Sequence, residues 1–154
     1  MATAYLATRG TAGQSAKART GVTVDYSEFT ISSAFVINDT VKLFKIPAMA
    51  RVLSFTIDMP ILDTNVSPAA RIDVGDVANG ATYYINTLNA GTSFSVATFV
   101  SMTANGVAGT LGTRYAADDA LILKIHTAPA TGATSGTIHA RIEYILDGGT
   151  QAGF

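Results

Sequence analysis

The chain has 154 residues, with ten Lys+Arg against eleven Asp+Glu and a formal net charge of -1 at pH 7. That is room for one domain of ordinary size, with charge too balanced for general attraction to nucleic acid. Cysteine is absent, which excludes disulfide scaffolds, thiol catalysis, Fe–S clusters and cysteine-based zinc sites. Hydrophobic residues make up 48% and charged residues only 14%, where soluble domains average about 25% charged. The exterior must therefore be built from Thr, Ser, Ala, Gly and Asn. Such neutral surface suits burial against neighbouring molecules, so assembly is the first expectation.

Residues 1–21 are small, polar and basic, with Arg9, Lys17 and Arg19 and no acid before Asp25. They lack the continuous apolar core of a signal peptide, and Gly10, Gly13 and Gly21 oppose a stable helix. Nowhere do about 18 apolar residues run together, so no helical membrane span is expected. The segment reads as a flexible, extended N-terminal arm that orders on docking to an acidic neighbouring surface. Arg9, Lys17 and Arg19 would supply the charge. Exposed cations are worth about 1 kcal/mol or less each, so Tyr5 and Leu6 are the candidate apolar anchors. The plainer alternative is a terminus whose charge serves solubility alone.

From residue 22 to 154 the pattern is that of one domain made of short β-like runs split by Gly, Pro, Asn and Asp. Val22–Ile37 is rich in β-branched and aromatic residues and ends at the Asn38-Asp39 turn; Thr40–Ile46 follows, then the Pro47-Ala48 break. In Arg51–Met59, Leu53, Phe55, Ile57 and Met59 alternate with Ser54, Thr56 and Asp58, the signature of a half-buried strand. After the loop 60–68 come a short strand over Ala69–Val74, the hairpin dipeptide Asn79-Gly80, and a strand over Ala81–Leu88. Thr92–Met102 reads as a strand before the Gly-rich Asn105–Gly112. The clearest strands are Ala120–Thr127, with Leu121, Leu123 and Ile125 inward, and Thr137–Leu146, with Ile138, Ala140, Ile142, Tyr144 and Leu146 inward. Between them Ala128–Gly136 reads as a flexible loop. About eight strands without helical periodicity predict an all-β, antiparallel β-sandwich of jelly-roll type, with a closed barrel as the rival.

Groups that could carry chemistry have simpler readings. His126 and His139 lack the spacing of a metal pair. They read as surface or subunit-interface residues on two late strands that pair with each other, sharing an outer face with Lys124, Arg141 and Glu143. Asp58, Asp63, Asp73 and Asp76 offer oxygens, and an ion near Asp73 and Asp76 stays open, but capping of turns accounts for them. There is no Gly-x-Ser-x-Gly and no phosphate-binding Gly-x-x-x-x-Gly-Lys. The expectation is no enzyme, no cofactor and no metal. Tyr83, Tyr84 and Tyr115 are the one candidate aromatic patch for a receptor- or glycan-binding module.

Several phrases together resemble the head decoration (cement) and small virion proteins of tailed bacteriophages. They are Asn38-Asp-Thr-Val-Lys-Leu-Phe-Lys-Ile-Pro-Ala-Met-Ala-Arg-Val-Leu53, Leu62-Asp-Thr-Asn-Val-Ser-Pro68, Ile72-Asp-Val-Gly-Asp76, Ala117-Asp-Asp-Ala120, His126-Thr-Ala-Pro-Ala-Thr-Gly132 and Thr137–Leu146. The likeness covers most of the chain after residue 21 and lies in turns and strands, so it carries over no binding residue. It implies a virion protein made in the host cytoplasm and bound outside an icosahedral capsid, assembled with itself, as a trimer, and bridging major capsid protein subunits. The alternative is a receptor- or glycan-binding piece of a head fibre or tail.

Overall fold

Side-chain alternation sorts ten strands into two five-stranded sheets in the computed structural model, which describes residues 2–6, 8–9, 21–90, 98–101 and 114–146. The strands are β1 (Ala4–Leu6), β2 (Thr8–Arg9), β3 (Thr23–Thr30), β4 (Thr40–Ile46), β5 (Ala50–Met59), β6 (Arg71–Asp76), β7 (Gly80–Asn89), β8 (Thr98–Ser101), β9 (Asp119–Thr127) and β10 (Thr137–Leu146). One sheet runs β1-β4-β9-β6-β7 and the other β2-β3-β10-β5-β8. Within β3 to β10 the orders β4-β9-β6-β7 and β3-β10-β5-β8 are those of a jelly roll, two Greek keys folded into a sandwich. All pairings are antiparallel except β1 with β4.

The core lies between the sheets. Val41, Ile72, Val74, Tyr84, Leu121, Leu123 and Ile125 come from one, and Phe29, Val52, Phe55, Ile57, Ile138 and Ile142 from the other. Full burial of side chains this size contributes roughly 1.5–3 kcal/mol each. In β9 and β10 the alternation holds as the sequence predicts, with Leu121, Leu123, Ile125, Ile138, Ala140, Ile142 and Tyr144 buried. The Asn79-Gly80 turn joins β6 to β7, with Gly80 at φ 106° where a left-handed conformation favours glycine.

Several expectations are corrected. Leu53 is 37% exposed while Val52 is buried. The register of β5 on β10 slips at this point, Glu143 pairing with Ser54 but Tyr144 with Val52, so Leu53 is the extra residue of a β-bulge. Leu146, the last residue of β10, is 51% exposed because the strand ends there. β9 and β10 do not pair: β10 lies between β3 and β5, and β9 between β4 and β6. His126 and Lys124 therefore face outward from one sheet, and His139, Arg141 and Glu143 from the other.

The chain enters through both sheets. β1 runs alongside β4, Tyr5 packs edge-on against Phe29 and Phe35 at ring-centroid distances of 5.3 and 5.7 Å, and β2 pairs with β3 through Thr8 and Arg9. Tyr5 thus serves its own chain's core, and Leu6 and Arg9 belong to strands of the sandwich, while Lys17 and Arg19 lie outside the described residues. The strand expected over Thr92–Met102 is described at Thr98–Ser101, and Asn105–Gly112 lies outside the described residues.

Candidate functional site

Jelly-roll topology gathers the connections at two ends of the sandwich. At the first, the β3–β4 loop (31–39), the β5–β6 loop (60–70) and the β9–β10 loop (128–136) meet. Asp63 joins two of them: its carboxylate, 1% exposed, accepts from the backbone N–H of Ala69 (2.8 Å), Ala70 (3.3 Å), Ala130 (3.0 Å), Thr131 (3.0 Å) and Asn65 (3.1 Å). Backbone bonds Thr64 N–H to Thr131 C=O and Ala133 N–H to Leu62 C=O continue the seam. Burial by itself pushes the Asp63 carboxyl up. The amides of Ala69, Thr131, Ala130 and Asn65 outweigh it and hold the group well below the usual carboxylate range.

The β3–β4 loop is fitted to the same seam. A Cβ added at Gly132 would stand 2.6 Å from the Cβ of Ala34, and one at Gly136 would stand 2.8 Å from Pro60. Gly136 also accepts from the N–H of Ile31 through its carbonyl. The 128–136 segment is thus tightly fitted, where its composition suggests a flexible loop. Asp39, 1% exposed, accepts from Val36 N–H (2.8 Å) and Thr3 N–H (2.6 Å), tying the loop to the segment before β1.

At the second end the β4–β5 and β6–β7 connections meet residues 114–118, and carboxylates again hold backbone amides. Asp119 accepts from Val77 and Ala78 N–H, and Asp118 from Ala48 N–H. Asp118 also pairs with Lys45 at 2.7 Å, both side chains more than half exposed. The Lys45 ammonium and the Ala48 amide keep the Asp118 carboxyl below its usual value. Beneath them Tyr115 donates its hydroxyl to Asp76 (2.7 Å) and meets the Tyr84 hydroxyl, while Asp76 takes the N–H and side-chain amide of Asn79. Burial pushes both phenols up; Tyr115 is raised further by its bonds to Tyr84 and Asp76. A cleft of about 310 Å³ opens above this network, lined by Tyr83, Tyr115, Arg114 and Asp118 among others. Tyr84 and Tyr115 are 1% and 8% exposed and Tyr83 half-buried, so the three tyrosines do not form the exposed aromatic patch of a recognition module.

On the sheet faces, Asp73, 1% exposed, accepts from Thr87 N–H (2.8 Å) and lies 3.0 Å from His126 Nδ1. Thr87 sits in a β7 bulge at φ 61°, a conformation costly for a β-branched residue and held by that bond. On the other sheet His139 stands 3.4 Å from Glu28, and Glu143 accepts from Ser54 and Arg141. Each histidine thus has one carboxylate neighbour, on opposite sides of the sandwich. Among the described residues no group of three or more His, Asp or Glu is placed to hold a metal ion, and no helix is long and apolar enough to cross a membrane. Sequence reading placed Asp39 and Asp63 in turns and missed the role of each as a buried junction. The signal was an Asp alone in an otherwise uncharged loop, which is costly unless the carboxylate is satisfied internally.

No protein-family model and no curated protein matches the chain. Solved structures do. A chain of the cyanophage Pam1 capsid asymmetric unit is 26% identical with a TM-score of 0.65, the match covering 89% of this chain and 99% of that one. A chain of the capsid of Ralstonia phage GP4 is 20% identical, TM-score 0.68, with 84% and 86% covered. A chain of the acidic stable capsid of Helicobacter pylori bacteriophage KHP30 is 13% identical, TM-score 0.51, with 83% and 95% covered. The last two likenesses are of fold.

Proposed function

We propose that this chain is a non-enzymatic structural component of a phage virion, and within the virion a decoration (cement) protein on the outer surface of an icosahedral capsid. The observation that carries the reading is the near end-to-end match with a chain of the cyanophage Pam1 capsid asymmetric unit. The match spans 99% of that neighbour's chain. A sandwich is suited to cementing: interlocked sheets around a close-packed core resist distortion and transmit load between the subunits they touch.

The sparing charge of the chain supports the rest. As a symmetric homo-oligomer, a trimer, the protein would hide low-charge faces among its copies and hold the major capsid protein at several points together. The basic N-terminal segment adds an electrostatic contact, Arg9, Lys17 and Arg19 reaching an acidic neighbouring surface while Tyr5 stays in its own core. Heads of the parent phage made without this protein, mixed with the purified chain and sedimented, test the reading. Saturable binding at the particle surface and greater resistance of the heads to heat are expected. A protein that leaves them unbound overturns it. Replacing Arg9, Lys17 and Arg19 together by Gln is expected to weaken binding and steepen nothing in thermal unfolding; unchanged binding removes the arm from the account.

A further inference from the structure

The two ends of the sandwich differ in one property that decides which of them can be buried. The loops 31–39, 60–70 and 128–136 contain only two ionisable side chains, Asp39 and Asp63, and both are buried on backbone amides. Everything these loops show to solvent is Ser, Thr, Asn, Ala, Pro and aliphatic. Val66 is fully exposed, with Ile37 at 54%, Val36 at 44% and Ile61 at 36%. The opposite end exposes Arg114, Asp118 and Lys45 beside the apolar residues Val77, Val22 and Leu146.

We infer that the charge-free loop end is the face that lands on the capsid shell, and that the surface receiving it is an uncharged protein patch. The inference rests on the decoration reading and names the contact it requires. Burying a charged side chain without a counter-charge is expensive, so a face offering none fits a partner that offers none. Nor does docking have to order these three loops. The Asp63 seam and the Ala34–Gly132 contact already join them, which removes much of their ordering cost on association. Exposed aliphatic tips on a preformed, polar-rimmed platform are what an interface centre uses.

The test places one charge on each end. Val66→Asp, Val66→Lys and Ile37→Asp alter exposed tips of the neutral end, and Val77→Asp does the same at the other. Thermal midpoint, light-scattering mass and binding to heads lacking the protein are measured for each. Both signs of charge at Val66, and Ile37→Asp, are expected to weaken binding about tenfold or more with midpoint and mass unchanged, while Val77→Asp binds as the parent. Parent-like binding by the loop-end variants, equal loss in Val77→Asp, or a fall in mass marking the face as a contact between copies would each overturn the inference. If the parent protein itself fails to bind the heads, the decoration reading falls and this inference with it.

Discussion

At one end of the sandwich Asp63 gathers five backbone amides and disappears from the surface; at the other Asp118 holds one amide and an ammonium in full view of solvent. The device is shared, a loop carboxylate satisfying N–H groups that no strand reaches. The consequences differ because the loops close over Asp63 and leave Asp118 exposed. A buried anion with several amide donors is a large term in stability, and an exposed ion pair is a small one.

The contrast breaks most visibly at Asp63. Asp63→Ala orphans buried amides in two loops and is expected to cost about 3–5 kcal/mol, read as the shift in urea unfolding. The same residue sets an acid limit. Its folded pKa is depressed, so its contribution is present above the unfolded value of about 3.9 and is lost as pH falls below about 4. Stability measured from pH 7 downward should fall in that window, and more gently in Asp63→Asn.

Gly132→Ala probes the fit of the loops without touching charge. The new Cβ meets the short, unyielding Ala34 side chain, and a loss of about 1–3 kcal/mol is expected. A neutral result would mean that the first end is looser than its hydrogen bonds imply.

At the second end, Tyr115→Phe removes the bond to Asp76 and is expected to cost about 1–2 kcal/mol by the same measurement. Both buried phenols have raised folded pKa values, so their stabilisation is present below about pH 10 and is lost as pH rises beyond it. Phenolate absorbance should then show Tyr84 and Tyr115 ionising only as the fold opens. Smallest of all is Lys45→Ala, which should leave the unfolding midpoint unmoved, since both partners of its ion pair are largely solvated.

Much of the sandwich was legible along the chain, for a local reason. A strand with one dry face alternates with period two, so β4, β9 and β10 could be placed, and Asn79-Gly80 marks its hairpin. The misses occur where a neighbour changes the period. Leu53 has the right spacing for the core, but the bulge against β10 turns it out and brings Val52 in. Tyr84 and Tyr115 look like a candidate patch in sequence and become a buried hydrogen-bonded pair because Asp76, from another strand, receives a proton donor there. Asp63 was visible as a turn former; its amide partners at Ala130 and Thr131 are 67 and 68 residues away and leave no mark beside it.

By itself the sequence determined that this is a chain of short strands and tight turns with little charge to spend on water, because side-chain alternation and turn chemistry act over a few residues. Only the tertiary structure decided which loops share an end, which carboxylates vanish beneath them, and hence where an uncharged platform lies. Those outcomes depend on strand order, which is set by contacts between residues far apart in the chain.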